Sequence, residues 1–228
     1  EIISGKDLLI LPSCTMKYYE FPKEIKNLLS EKIFGKPIFG NYSCGQNLVD
    51  WHPWEDISDF YVSNRPTGGC REIVPFELTW ITDVFGKPEL VEAFIGKLSD
   101  LDADIDDIYR MTLRFQNRFH LNFLVEVISA PVPTRELRVV FENGIVKYSA
   151  ESNALSYILK GDAEWTLLTL NDGRHHNSSI NPEEPYIAEI SDFLNAVESR
   201  NEMQFPNSLA KDFEILEMLN SIEDKAVR

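Results

Sequence analysis

A short segment rich in aromatic and acidic residues offers the first candidate chemistry in this sequence. It reads Asp50-Trp-His-Pro-Trp-Glu55, so one imidazole stands between two indole rings. Indole and imidazole rings can stack on the apolar face of a sugar ring, and histidine exchanges a proton near neutral pH. We therefore predict that Trp51 and Trp54 bind substrate and that His52 is catalytic. The alternative is that the two tryptophans only fix a loop onto the core.

Arg71 and Glu72 form a second candidate group, which follows the paired glycines Gly68 and Gly69. A guanidinium binds a carboxylate or phosphate through two parallel hydrogen bonds, and a carboxylate can take a proton from a hydroxyl. We predict substrate binding for Arg71 and acid–base catalysis for Glu72, with surface ion pairs as the alternative. Tyr109, at the start of a predicted strand, is a further candidate for substrate binding.

The sequence contains none of the short motifs that hold common cofactors. Its eleven glycines form no GxGxxG and no GxxxxGK[ST], and HExxH and GxSxG are also missing. His175 and His176 are adjacent in a polar loop without accompanying ligands, so we predict no metal site. No cofactor is therefore expected to be bound to this chain on its own.

Charge and cysteine content limit the partners and the compartment. The net charge is −15, which opposes binding to nucleic acid and to anionic membranes. No apolar run reaches the roughly 18 residues of a membrane span. The odd number of cysteines, without a CxxC pair, is typical of a reduced cytoplasmic protein. Five acids in Asp100–Asp107 predict a solvated loop.

Apolar residues at helical spacing predict helices before and after a central block of strands. Ile25, Leu28, Leu29 and Ile33 share one face of the first helix. Pro53 is expected to open a further short helix. The four longer helical segments are Phe21–Ile33, Arg71–Phe85, Tyr186–Ser199 and Leu209–Ile222.

Strand patterns fill the region between these helices, and two more precede it. Alternation of apolar and polar residues predicts antiparallel strands with one face packed on a core, and Asn143-Gly144 predicts a hairpin turn. A block of strands beside helices indicates the α+β class. The predicted strands are Leu8–Leu11, Pro37–Tyr42, Tyr109–Phe115, Leu121–Val127, Leu137–Phe141, Ile145–Tyr148 and Trp165–Leu170.

Three ordered sets of residues resemble the Gfo/Idh/MocA oxidoreductase family. The Asp50–Glu55 segment is also similar to members associated with surface-polysaccharide sugar metabolism. The family-like sets are Thr15–Tyr18 with Ile33–Pro37, then Gly68–Trp80 with Val84–Gly86, and finally Glu142–Gly144 with Glu189–Ala196 and Asn207–Ile222.

The resemblance implies an NAD- or NADP-dependent enzyme whose Rossmann domain precedes the present chain. Residues 1–228 would then form one C-terminal substrate-binding and oligomerisation domain, with residues 1–20 as the remnant of the junction. Its expected fold is an open, mainly antiparallel sheet with helices on one face. The other face would pack against another subunit, giving a homo-oligomer. The substrate would be a sugar or nucleotide-sugar, and the chain would be inactive without the Rossmann domain.

The sequence departs from the family pattern at the position that the resemblance assigns to a catalytic histidine. When Phe85-Gly86 is aligned on the family motif, Phe76 stands at that position, and Thr79 replaces a nearby aspartate. Phenylalanine cannot exchange a proton, so either another residue, Glu72 or His52, takes the role or the chemistry differs. Lys17 matches a basic position near the domain junction, which implies a contact with the substrate or with the nucleotide-binding domain.

Two other interpretations remain open. The first is a relative that has lost catalysis and serves as a binding or assembly module, as Phe76 and Thr79 indicate. The second is an unrelated α+β ligand-binding protein. Whether the chain belongs to an enzyme, which sugar it binds, and whether NAD or NADP is used are not determined by the sequence.

Overall fold

The computed structural model describes residues 8–171 and 182–228, and eight strands within these ranges form a single sheet. Its order is β2-β3-β4-β1-β5-β6-β7-β8. Only β1 and β4 are parallel, and the other neighbours within the described ranges are antiparallel. The strands are Pro37–Gly45 (β1), Glu89–Gly96 (β2), Ile108–Arg114 (β3), His120–Glu126 (β4), Thr134–Phe141 (β5), Gly144–Ser149 (β6), Ala154–Leu159 (β7) and Thr166–Thr169 (β8).

Helices cover one face of this sheet. The α-helices in the described residues are Glu20–Ser30 (α1), Cys70–Phe85 (α2), Glu184–Ser199 (α3) and Leu209–Lys225 (α4). Helix α2 packs on β3 and β4, and both α1 and α4 contact α2. The predicted α+β fold with an open, mainly antiparallel sheet is therefore confirmed.

The two faces of the sheet differ in polarity, as the alternating pattern predicts. Tyr42, Phe123 and Val139 point into the core and are buried. On the opposite face, Asn122 Nδ2 donates to Asn41 Oδ1 at 3.0 Å across the parallel pair of strands. Further polar and charged residues on this outward face are Arg110, Glu136 and Lys147, which are exposed.

A glycine allows the chain to cross closely above the start of α2. A Cβ atom at Gly68 would lie 2.1 Å from the carbonyl oxygen of Val62, and that contact is with backbone. Val62 belongs to a short 3-10 helix, Tyr61–Ser63, which therefore lies close to the residues that precede α2. The close approach places Tyr61 beside the first turn of α2.

Some predicted local structures are wrong. Residues 8–11 form no strand, and Pro53 lies in a turn rather than at the start of a helix. The acidic stretch is not fully solvated, because Asp106 and Asp107 are buried. Asp107 accepts hydrogen bonds from the backbone N–H groups of residues 98 and 99, at 2.7 and 2.8 Å.

Among residues 8–171 and 182–228, no helix is both long enough and apolar enough to span a membrane.

Candidate functional site

A cavity of about 700 Å³ lies at the N-terminal half of α2. The turn after β1, the first turns of α2 and the segment between β4 and β5 form its walls. Its lining combines aromatic rings, side-chain amides, two carboxylates and one guanidinium. The lining residues are Gln46, Asn47, Asp50, Trp51, His52, Pro53, Glu72, Ile73, Phe76, Ser129, Pro131, Pro133, Arg135 and Tyr186.

Three of the predicted site residues meet in this cavity, namely Trp51, His52 and Glu72. Phe76, the residue at the position of the family histidine, also forms part of the wall. The cavity is therefore the place where the departure from the family pattern would matter chemically.

The imidazole of His52 is held by stacking and by one carboxylate. Its ring centroid lies 3.8 Å from that of Phe60 and 4.9 Å from that of Trp54. His52 Nδ1 contacts Glu55 Oε1. Trp54 itself is 76% exposed and does not line the cavity. It supports His52 from the solvent side.

Glu72 presents one bonded and one unbonded carboxylate oxygen. Its Oε1 accepts a hydrogen bond from the Tyr61 hydroxyl at 2.6 Å. Its Oε2 is shielded from solvent and has no hydrogen-bond partner among the described residues. Burial raises the pKa of Glu72 above its ordinary value, and the hydrogen bond from Tyr61 opposes that shift.

Trp51 carries a second polar atom without a partner. Its indole Nε1 is shielded from solvent and finds no acceptor in the described parts of the chain. Buried polar atoms are nearly always bonded, so such an atom requires an explanation. Trp51 Nε1 is thus a donor, and Glu72 Oε2 an acceptor, without a partner among the described residues.

Arg135, which lines the cavity, belongs to a buried ion pair. Arg135 Nη2 lies 2.9 Å from Glu77 Oε1, and both side chains are almost completely buried. Glu77 Oε2 also accepts from the Tyr42 hydroxyl at 2.5 Å and from Trp80 Nε1 at 2.8 Å. The Arg135 guanidinium lies over the ring of Tyr19, 5.5 Å from its centroid.

Sequence reasoning identified neither Arg135, which lines the cavity, nor its buried partner Glu77. A signal for Arg135 was present, since it occupies the same phase of β5 as Leu137 and Val139, both of which face the core. An arginine at an inward position requires a buried anion, and Glu77 provides it from α2.

The remaining predicted site residues lie outside this cavity. Arg71 Nε pairs with Glu223 at 2.9 Å, and the Tyr109 hydroxyl donates to the same carboxylate at 3.0 Å. Lys17 Nζ donates to the carbonyl oxygen of Pro206 at 3.2 Å and lines a separate cavity of about 200 Å³. Thr79 also lines that second cavity.

Within residues 8–171 and 182–228, no three His, Cys, Asp or Glu side chains are grouped so that they could hold a metal ion. His175 and His176 lie outside the described residues.

Comparison with known proteins finds similarity in three-dimensional structure alone. No protein-family model and no curated protein matches this sequence. The fold matches an oxidoreductase from Agrobacterium radiobacter in complex with NAD+, L-tartaric acid and magnesium, with a TM-score of 0.76 and 14% identity. The match covers 96% of this chain and 63% of that structure.

Two further matches are also dehydrogenase structures. Levoglucosan dehydrogenase in complex with NADH has a TM-score of 0.74 at 14% identity, and the match covers 98% of this chain and 65% of that one. An inositol dehydrogenase homolog from Azotobacter vinelandii, complexed with NAD+, has a TM-score of 0.68 at 10% identity. That match covers 97% of this chain and 64% of the other.

At sequence identities of 10–14%, these structural similarities show a shared fold and nothing further. The chain spans less than two thirds of the length of each of these three structures. The part of each oxidoreductase that lies beyond the match has no counterpart in these 228 residues.

Proposed function

We propose that this chain is the substrate-binding part of a Gfo/Idh/MocA-type oxidoreductase that acts on a sugar or nucleotide-sugar hydroxyl. The observation that carries the proposal is the cavity at α2, which gathers Glu72, His52 and Trp51 within a fold shared with dehydrogenases. The similarity of Asp50–Glu55 to surface-polysaccharide members supports a role in that metabolism.

We assign the cofactor to a part of the protein outside these 228 residues. A dinucleotide needs a glycine-rich turn at a helix N-terminus to seat its pyrophosphate, and the sequence has no GxGxxG. We therefore propose that a separate Rossmann domain holds NAD or NADP. When bound there, the nicotinamide supplies the acceptor for the hydride of the substrate carbon.

Glu72 is the proposed acid–base residue. Its Oε2 accepts the proton of the substrate hydroxyl as the carbon of the same group loses its hydride, and the product is a carbonyl. Partial burial raises the pKa of Glu72 toward the working range of a general base. In the reverse direction the protonated carboxyl returns the proton to the carbonyl oxygen.

The other candidates receive supporting roles in the proposal. Trp51 provides an apolar surface and an N–H donor, and His52 is the second candidate for acid–base catalysis. Trp54 acts through its stacking on His52. Lys17, in the second cavity, is assigned to contact with the Rossmann domain.

Arg71 and Tyr109 bind the carboxylate of Glu223. Their proposed role is therefore to anchor α2 and β3 to α4, with no direct contact to substrate.

The proposed assembly follows from the family resemblance, and the proposed compartment follows from the cysteines. We propose a homo-oligomer formed through the outward, polar face of the sheet. Cys14, Cys44 and Cys70 are buried and unoxidised, which agrees with the proposed cytoplasmic location.

The test is dehydrogenase activity of the full-length protein that contains these residues. Reduction of NAD+ or NADP+ would be measured with levoglucosan, myo-inositol and a panel of sugars and nucleotide-sugars. We expect Glu72→Gln to lower kcat by about 10²–10⁴-fold, because the amide cannot accept the proton. The exposed Glu151→Gln variant, which keeps the cavity intact, should retain wild-type activity. Unchanged turnover in Glu72→Gln would exclude the assigned role.

Phe76 supports a second candidate function, that of a binding or assembly module without catalysis. A phenyl ring in the cavity wall binds apolar surface but cannot move a proton. This function predicts that sugars bind to the full-length protein in calorimetry while neither cofactor is reduced. Turnover of any bound sugar would exclude it.

A further inference from the structure

Two polar atoms in the cavity define the kind of group that would satisfy them. Trp51 Nε1 is a donor only, and the ionised Glu72 Oε2 is an acceptor only. Both atoms are shielded from solvent and unpartnered within the described residues, and both side chains line the same cavity. A hydroxyl group can accept one hydrogen bond and donate another, so a ligand with hydroxyl groups satisfies both atoms.

We propose that Tyr61, Glu72 and Trp51 form one recognition unit for an uncharged polyhydroxylated ligand, with Tyr61 as the positioning residue. Ligand hydroxyls donate to Glu72 Oε2 and accept from Trp51 Nε1. This inference rests on the proposed substrate cavity and names its substrate class as a neutral polyol or sugar. Ligands that carry a carboxylate beside these groups are disfavoured, because Glu72 and Asp50 both line the cavity.

Tyr61 determines which oxygen of Glu72 is available. Its hydroxyl donates to Oε1 at 2.6 Å, which leaves Oε2 for the ligand. Burial and the neighbouring carboxylate raise the pKa of Tyr61 to about 12, so the hydroxyl stays protonated at neutral pH. Because an ionised carboxylate can only accept, the Tyr61 hydroxyl is the donor whenever Glu72 is ionised.

The position of Tyr61 is itself fixed by the backbone. Tyr61 precedes Val62, whose backbone occupies the space that a side chain at Gly68 would need. The ring of Tyr61 also contacts Phe60 edge to face, at a centroid distance of 4.8 Å. Because Phe60 stacks on His52, the segment connects the recognition unit to the other candidate acid–base residue.

Other charged groups face the same cavity and have to be considered in any pH experiment. His52 is paired with Glu55, and Arg135 is neutralised by Glu77. Asp50 is exposed at the rim. The hydrogen bond from Tyr61 favours the ionised form of Glu72, so its removal should raise the pKa of Glu72 further.

The experiment follows two quantities in the full-length protein, neither of which requires turnover. Carbon-13 NMR of labelled glutamate carboxyl groups, assigned with Glu72→Gln, gives the titration midpoint of Glu72. Calorimetry gives the Kd of levoglucosan, myo-inositol, L-sorbose and, as the charged probe, L-tartrate. The variants are Tyr61→Phe and Trp51→Phe, with Tyr157→Phe on β7 as the control.

We expect Tyr61→Phe to move the Glu72 midpoint upward and to weaken binding of the neutral ligand about 2–10-fold, which is the effect of one hydrogen bond. Trp51→Phe should weaken binding by a similar factor without moving the midpoint. Tyr157→Phe should change neither quantity. The inference is overturned if Tyr61→Phe leaves the midpoint and the Kd unchanged, if L-tartrate binds at least as tightly as the neutral probes, or if no neutral probe binds.

These outcomes are distinguishable from failure of the proposed function. Neutral ligands that bind with the expected variant effects but are never oxidised would support the recognition unit and contradict the dehydrogenase. If a sugar is oxidised, and Tyr61→Phe changes neither its Kd nor the pH profile of its oxidation, the dehydrogenase would be supported and the recognition unit contradicted.

Discussion

Glu77 and Arg135 are charged residues in a region where side chains are otherwise apolar. Their relative exposures are 0% and 1%, so neither charge is compensated by water. Removing a charge from water carries a large penalty, which only a close partner and further hydrogen bonds offset. Tyr42 and Trp80 supply those bonds to Glu77. The pair therefore joins α2 to β5 at the cavity wall through a geometry that tolerates little change.

This arrangement predicts that Glu77→Gln is strongly destabilising. The amide keeps the shape but leaves the Arg135 charge buried without an anion, which costs about 3–5 kcal/mol of unfolding free energy. Denaturant unfolding monitored by circular dichroism measures the loss. The matched control is Glu89→Gln, which breaks the exposed pair with Arg114 and should leave the stability unchanged. Equal effects of the two substitutions would show that burial does not control the pair.

At the scale of elements, periodicity predicted those helices and strands that have one clearly apolar face. Helix α2 and strands β3 to β6 follow their predicted segments closely. Strand β7, Ala154–Leu159, was not predicted because most of its residues are partly buried, so alternation is absent. Leu8–Leu11 has the composition of a strand, but composition alone provides no neighbouring strand for hydrogen bonding.

The candidate site shows the same limit. Trp51, His52 and Glu72 could be selected because their residue types suggest chemistry, and the structure places them around one cavity. Arg135 and Glu77 were missed because they form an ion pair between residues 58 positions apart, and the sequence does not show that these two residues are in contact. The hydrogen bond from Tyr61 to Glu72 was missed for a similar reason, since it depends on how a loop crosses the helix.

The crossing at Gly68 gives a prediction at this scale. Gly68→Ala would place a Cβ atom against the backbone of Val62, so the segment that carries Tyr61 must move away from α2. We expect a lower Tm and weaker ligand binding. The control is Gly161→Ala, where the φ angle of +105° is strained for alanine but the surrounding space is open. It should lower the Tm without affecting binding, and an equal loss of binding in both variants would contradict the proposed crossing.

On the scale of the whole molecule, α3 presents an apolar stripe to solvent. Ile187, Ile190 and Leu194 share one face of the helix and are 59%, 59% and 53% exposed. The helix is held instead by Glu189, which accepts hydrogen bonds from the backbone N–H of Cys14 and the hydroxyl of Thr15. Exposed apolar stripes of this kind commonly mark interaction surfaces, and the proposed Rossmann domain is a candidate to cover it.

The stripe predicts that Ile190→Lys leaves the stability of these 228 residues nearly unchanged. A side chain that is mostly exposed loses little on replacement, typically within about 0.5 kcal/mol. Binding of a hydrophobic dye to the isolated chain should fall, whereas Asn195→Lys on the same helix should leave dye binding unaltered. A large drop in Tm for Ile190→Lys would instead mean that the stripe belongs to the core of this chain.

The position of β1 in the sheet has a consequence for how the chain folds. Strands β2 to β4 form one block of neighbours in sequence, strands β5 to β8 form another, and β1 is inserted between the two blocks. Asn41 on β1 meets Asn122 on β4 across 81 residues. Each block can form through short loops, but closing the sheet requires long-range encounters, which slow folding. We therefore expect the insertion of β1 to limit the folding rate, and the two blocks to be the parts that acquire hydrogen-exchange protection first.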